Sequence, residues 1–76
     1  QERKAFATGI TIELESGYVS LVKDKSGLAA KYGLHTLAGV IDAGYRGEYK
    51  IILINHGNQT YTINQGDKIA QLLIMP

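Results

Sequence analysis

The sequence predicts an all-β domain, a sandwich or barrel of short strands with one small helix. Three observations carry that expectation. Apolar residues alternate or run in strand-sized stretches, clusters of Gly, Asn, Asp and Ser punctuate those stretches, and one segment alone, SGLAAKYG from Ser26, has helical character. With 76 residues the chain makes a single domain, residues 1–76. It lies near the lower limit of what one core stabilises, so oligomerisation is expected.

Gln1-Glu2-Arg3-Lys4 reads as a charged lead-in without a strand partner. From Thr8 to Glu15, Ile10, Ile12 and Leu14 alternate with Thr11, Glu13 and Glu15, the period of a half-buried strand. Ser16-Gly17 reverses the chain into a second strand, Tyr18 to Lys23, and the two form a hairpin. Ser26 suits an N-cap, good helix formers follow through Lys31, and Gly33 suits the left-handed end of the helix. His35 to Ile41 is a short extended segment, and Tyr45 to Asn55 a long strand dense in β-branched and aromatic residues. His56-Gly57-Asn58-Gln59 turns into a short strand, Thr60 to Ile63. Asn64-Gln65-Gly66-Asp67 turns into the last one, Lys68 to Met75.

Eight Lys and Arg against seven Asp and Glu, scattered rather than clustered, exclude a duplex nucleic-acid partner. The apolar runs Ile51–Ile54 and Leu72–Met75 fall far short of the ~20 residues that cross a bilayer, which excludes a membrane span. No signal peptide is legible from Gln1 onward, so a cytoplasmic protein is expected. Without cysteine there is neither a disulfide framework nor a thiolate metal site. His35 and His56 lack further ligands at metal spacing, which makes both surface or interface residues and leaves no protein metal site. The inventory also lacks a phosphate-binding Gly-Lys-Ser/Thr loop and a Ser-His-Asp pattern.

Three segments carry chemistry. In GVIDAGYRGE, residues 39 to 48, Asp42 and Gly44 suit a plain turn. The same turn could also display a carboxylate that deprotonates water, beside backbone groups and an aromatic face at Tyr45. DKSGLA, residues 24 to 29, is a capped helix start or an anion site built from free N–H groups, the Ser26 hydroxyl, Gly27 and the Lys25 charge. In GDKIAQLL, residues 66 to 73, Gln71 either sits on the exposed face of a strand or reaches into a site.

In this order and spacing, the three segments resemble the third, second and fourth motifs of the trimeric dUTP diphosphatase (dUTPase) family, and TGITIEL fits as well. The resemblance implies a β-clip or jelly-roll-like distorted barrel forming homotrimers with shared active sites. It makes Asp42 the residue that activates the attacking water. Ala38, Gly39, Val40, Ile41 and Asp42 recognise uracil through main-chain hydrogen bonds, and Tyr45 packs under the deoxyribose and excludes a 2′-hydroxyl. Ser26 and Gly27 hold the phosphates, with Lys25 close by and Gln71 contacting the phosphate region. The implied reaction takes dUTP and water to dUMP and pyrophosphate, with Mg²⁺ bridging the triphosphate.

Asp24-Lys25 stands where many members have Pro-Arg, and Lys68 where Arg is common; lysine keeps the charge but loses the bidentate fork. The family's first motif, with a metal-holding Asp, and its Gly-rich fifth motif are not found in these residues. Reduced or absent activity is therefore expected of this stretch, and a non-catalytic trimeric scaffold or engineered assembly module derived from such a core is the alternative. The related dCTP deaminases are a further possibility, although the hairpin reads closer to the uracil type.

Overall fold

The structure is a computed structural model that describes residues 2–76. Six strands and one helix follow in the order β1 (Arg3–Ala7), β2 (Val19–Asp24), α1 (Ser26–Tyr32), β3 (Leu34–Leu37), β4 (Val40–Asp42), β5 (Lys50–Asn55) and β6 (Ala70–Met75). They build two antiparallel three-stranded sheets, β1-β5-β3 and β4-β2-β6. The all-β expectation with one short helix holds, as an open two-layer arrangement rather than a closed barrel.

The layers meet where Val22 of one sheet packs with Ile51 and Leu53 of the other, joined by Phe6, Ile41 and Ala70. Burial of these side chains supplies most of the driving force for folding. β6 contributes little to it. Leu72, Leu73, Ile74 and Met75 are all exposed although its whole length pairs with β2.

Several element boundaries differ from the sequence expectation, each for a physical reason. Residues 3–7 form a paired strand, not a free lead-in, because β1 supplies an edge to β5 with Arg3 opposite Ile54 and Ala7 opposite Lys50. Charged residues suit such an edge. The Thr8–Glu15 strand does not form. Thr8 N–H donates to the Tyr49 carbonyl and Tyr49 N–H to that of Ile10, after which the segment leaves the sheet. Ile12 and Leu14 are still half-buried while Thr11, Glu13 and Glu15 are exposed, so the alternation marks one-sided burial without a ladder. No hairpin joins this segment to β2, although the turn closes as expected through Tyr18 N–H and the Glu15 carbonyl.

The expected extended segment from His35 to Ile41 splits into β3 and β4, which belong to different sheets. The expected strand from Tyr45 begins only at Lys50, and Thr60 to Ile63 is not a strand. Both stretches lie where the chain crosses between layers. The final strand starts at Ala70 after a turn closed by Asp67 N–H and the Asn64 carbonyl.

Helix α1 ends at Gly33 with φ 74°, as expected. Its start differs by one residue. Lys25 occupies the cap position with extended backbone and no side-chain cap bond, so Ser26 is the first helical residue and leaves its hydroxyl out of capping.

Candidate functional site

The site is built around β4, a three-residue strand on the outer edge of its sheet. Its approach is shaped by Ala38 and Gly39, whose φ angles of 64° and 107° swing the chain from one sheet to the other. A Cβ at Gly39 would lie 2.8 Å from the Val22 carbonyl oxygen, so only glycine fits there. Val22 N–H donates to the Gly39 carbonyl at 2.7 Å, and the Ser20 hydroxyl to that of Ile41 at 3.2 Å. Residues 39 and 41 thus point their backbone groups at β2. Between them, Val40 points its N–H and C=O to the open edge, as strand geometry requires. Its side chain is 67% exposed.

After β4 the chain turns at Ala43-Gly44, with Tyr45 N–H donating to the Asp42 carbonyl at 3.1 Å. This is a β-turn without a two-stranded ladder behind it, because β4 pairs with β2 and not with β5. The Arg46 guanidinium braces the turn by donating to the carbonyls of Ala43 and Tyr45. The Tyr45 hydroxyl folds back to donate to the Glu48 carbonyl at 2.8 Å. Gly47 makes room for it, since a Cβ there would meet that hydroxyl at 2.6 Å.

Ala38, Gly39, Val40, Ile41, Asp42 and Tyr45 all line one cavity of about 470 Å³, with Val22, Leu37, Ile51 and Ile52 beneath them. The slot therefore offers an exposed carboxylate, the Lys50 side chain, the outward backbone edge of Val40 and an aromatic face around apolar residues. Such a combination suits a small ligand with polar edges.

The other predicted residues lie elsewhere. Asp42 pairs with Val19 at one end of β2, and Asp24, just before Lys25, closes the other. Five strand residues place these ends about 16 Å apart. Ser26 and Gly27 are exposed at the start of α1 and Lys25 is half-exposed. Gln71, opposite Lys23 on β6, donates from Nε2 to the Asp24 carbonyl at 3.0 Å. These four residues share one surface patch, outside the slot.

Asp24 anchors that patch. Thr36 donates its N–H and its hydroxyl to Oδ1, each at 2.7 Å, and His35 Nδ1 lies 2.7 Å from Oδ2. Burial by itself would raise the carboxyl pKa. The Thr36 N–H, the His35 ring and the Thr36 hydroxyl outweigh it and lower the value from 3.8 to about 2. His35 also stacks on His56, with ring centroids 6.2 Å apart. Among the described residues no three His, Asp or Glu side chains gather as a metal site would require, and no helix is long and apolar enough to cross a membrane.

Sequence reasoning missed the residues behind the slot. Tyr49 and Ser20 are buried and hydrogen-bonded to each other at 2.8 Å, 29 positions apart in the chain. Ser20 shares the inward face of β2 with Val22, and a serine among the apolar residues Val19, Leu21 and Val22 was the available signal.

A dUTPase family model matches residues 1–76. The chain is 53% identical to a deoxyuridine 5′-triphosphate nucleotidohydrolase of Ehrlichia canis (strain Jake), over 97% of this chain and 50% of that protein. A protein of the same name from Gloeobacter violaceus is 48% identical over 91% of this chain and 48% of its own length. The chain thus spans about half the length of these curated relatives. Among solved structures, native EIAV dUTPase superposes with a TM-score of 0.91 at 35% identity, covering 97% of this chain and 61% of that one. A mutant dUTPase from phage phi11 of S. aureus, described as coordinating a structural Mg(II) ion, has a TM-score of 0.84 at 29% identity, covering 100% and 67%.

Proposed function

The chain belongs to the dUTPase family, and from that premise we propose that it forms the core of an enzyme hydrolysing dUTP to dUMP and pyrophosphate. The observation that carries the proposal is the slot, which gathers the Ala38–Asp42 backbone and Tyr45 around one cavity. Uracil presents adjacent donor and acceptor groups on a flat ring, and the outward N–H and C=O of Val40 complement such a pair. Tyr45, held by the Glu48 carbonyl, gives the sugar a fixed aromatic face on which a 2′-hydroxyl has no room.

Asp42, exposed at the end of β4, holds the attacking water and takes its proton as the water adds to the α-phosphorus. The bond from that phosphorus to the α,β-bridging oxygen breaks, and pyrophosphate departs with the electron pair. Mg²⁺, carried mainly by the triphosphate and waters, would neutralise charge on the leaving group and needs no protein cage. Ser26, Gly27 and Lys25 would bind the phosphates through N–H groups, a hydroxyl and a positive charge, with Gln71 beside them.

One chain cannot bring both halves to one substrate, because about 16 Å of β2 separates Asp42 from the Lys25 end, more than a bridging water spans. A homotrimer in which each phosphate patch faces a neighbour's slot resolves this. The exposed apolar run Leu72–Met75 supports assembly, and the cytoplasm is the compartment that suits a free-nucleotide substrate.

The 76 residues lack recognisable first and fifth motifs, so turnover by this stretch alone is expected to be weak or absent. The test is pyrophosphate release from dUTP with Mg²⁺, with dCTP, dTTP and UTP as competitors. A stable trimer that neither turns over nor binds dUTP would favour the non-catalytic scaffold, the second reading that the exposed apolar strand permits. Ammonia release from dCTP would point instead to deamination.

A further inference from the structure

Behind the slot lies a buried polar connection that the proposed chemistry does not use. Ser20 has no solvent exposure and Tyr49 only 3%. Their hydroxyl oxygens are 2.8 Å apart, and Ser20 Oγ lies 3.2 Å from the Ile41 carbonyl. A serine hydroxyl carries one proton. Once that proton is given to Ile41, Ser20 can only accept from Tyr49, so the bonds run from Tyr49 through Ser20 to the backbone of β4. An apolar pair of similar shape would fill this space without desolvating two hydroxyls. The polar pair adds direction.

We propose that Tyr49 and Ser20 are positioning residues for the slot, their hydroxyl chain fixing β4 at Ile41, next to Asp42, and the Tyr49 ring supporting Tyr45. The inference rests on the reading of the slot as the dUTP site. β4 has only three residues and one partner strand, so few other bonds hold it. Tyr49 directly precedes β5 of the opposite sheet and is itself tied down by its N–H to the Ile10 carbonyl at 2.8 Å. The hydroxyl chain therefore fastens the edge of one layer to the other. Asp42 follows Ile41 immediately, and its carbonyl closes the turn onto Tyr45 N–H. The Tyr45 ring leans on that of Tyr49 with centroids 6.0 Å apart and planes at 50°. Tyr49 thus meets the Tyr45 ring directly and the backbone of β4 through Ser20.

The test compares Tyr49→Phe, Ser20→Ala and the double variant. Phenylalanine keeps the ring contact and removes only the donor. Each single variant should lower kcat about tenfold while KM for dUTP stays within about twofold, because a displaced Asp42 harms alignment in the transition state more than ground-state binding. The double variant should be no worse than either single one, since a chain broken once is already broken.

Amide hydrogen exchange at Ile41, which faces Ser20 in the ladder, and at Tyr45 should speed up about fivefold or more in Tyr49→Phe, with β5 amides unchanged. A lower melting temperature with unaltered kinetics and unaltered exchange at those amides would overturn the proposal, as would additive losses in the double variant. Should the wild type neither release pyrophosphate nor bind dUTP, the dUTPase reading fails by itself. The positioning claim then stands or falls on the two amides alone.

Discussion

Along β2 from Val22 to its Val19 end, Asp42, Tyr45 and the backbone of residues 38–41 share one cavity. At the Asp24 end, Ser26, Gly27 and Gln71 lie on open surface beside Lys25. The first region is finished within one chain. Left-handed residues shape it, Arg46 braces its turn, and a buried hydroxyl chain backs it. The second is anchored by Asp24 and lies open at the surface, with Ser26, Gly27 and Gln71 exposed. Groups that recognise a flat ring need a pre-shaped enclosure, whereas groups that meet a triphosphate can be brought up from outside by a second copy.

The comparison breaks first if the carboxylate in the finished region is dispensable. Asp42→Asn keeps the size and the turn and removes the base, so kcat should fall by about 10²–10⁴ with KM for dUTP little changed. Steady-state pyrophosphate release measures this. A variant retaining more than a tenth of the wild-type rate would remove Asp42 from the chemistry.

Mixing sharpens the contrast between the regions. Asp42→Asn chains and Ser26→Ala chains, unfolded together and reassembled in equal amounts, should recover about a quarter of the wild-type activity if each site takes its slot from one copy and its phosphate patch from the next. Recovery no greater than the sum of the separate variants would mean that each chain builds its own site.

The anchored end carries a pH signature. Because the folded Asp24 value of about 2 lies below the unfolded one, its contribution is complete above pH ~4 and disappears as the pH falls through the folded value. His35 is itself half-exposed, so screening limits the effect to about 1 kcal/mol. Urea denaturation should show Asp24→Ala less stable by about that amount near pH 6, with the gap narrowing progressively as the pH falls from about 4 toward 2. A gap that widens in acid would contradict the hydrogen bonds from Thr36.

How much of this was legible in the sequence follows the same division. The slot residues are nearly consecutive, and the chemistry of Ala-Gly and Asp-Ala-Gly turns is local, so Ala38 to Tyr45 could be grouped from sequence. Lys25, Ser26 and Gly27 were equally legible as a segment, but their distance from Asp42 depends on which strands pair with β2. That is a long-range property. Arg3 to Ala7 escaped notice because only Phe6 of that strand is even half-buried, leaving no apolar alternation to read. Thr8 to Glu15 misled in the opposite sense, since its alternation tracks exposure while its hydrogen bonds to Tyr49 end at Ile10. Tyr49 itself, within a run of strand formers, carries no mark of the serine it meets across 29 positions.

The smallest expected effect concerns Ala38, the one non-glycine residue with positive φ among those described. At φ 64° an alanine is strained by about 1 kcal/mol relative to glycine. Glycine would relieve that strain but lose a comparable amount, about 0.4–1 kcal/mol, through its freer unfolded chain. Ala38→Gly should therefore leave stability within about 0.5 kcal/mol of wild type while loosening the rim of the slot and raising KM for dUTP a few-fold, roughly what one extra ordered residue costs on binding. Gly39→Ala is the opposing control, because its Cβ would press on the Val22 carbonyl and should destabilise by more than about 1 kcal/mol. If Ala38→Gly shifted stability by as much as its neighbour does, the backbone at residue 38 would not be the preset element on which the finished region relies.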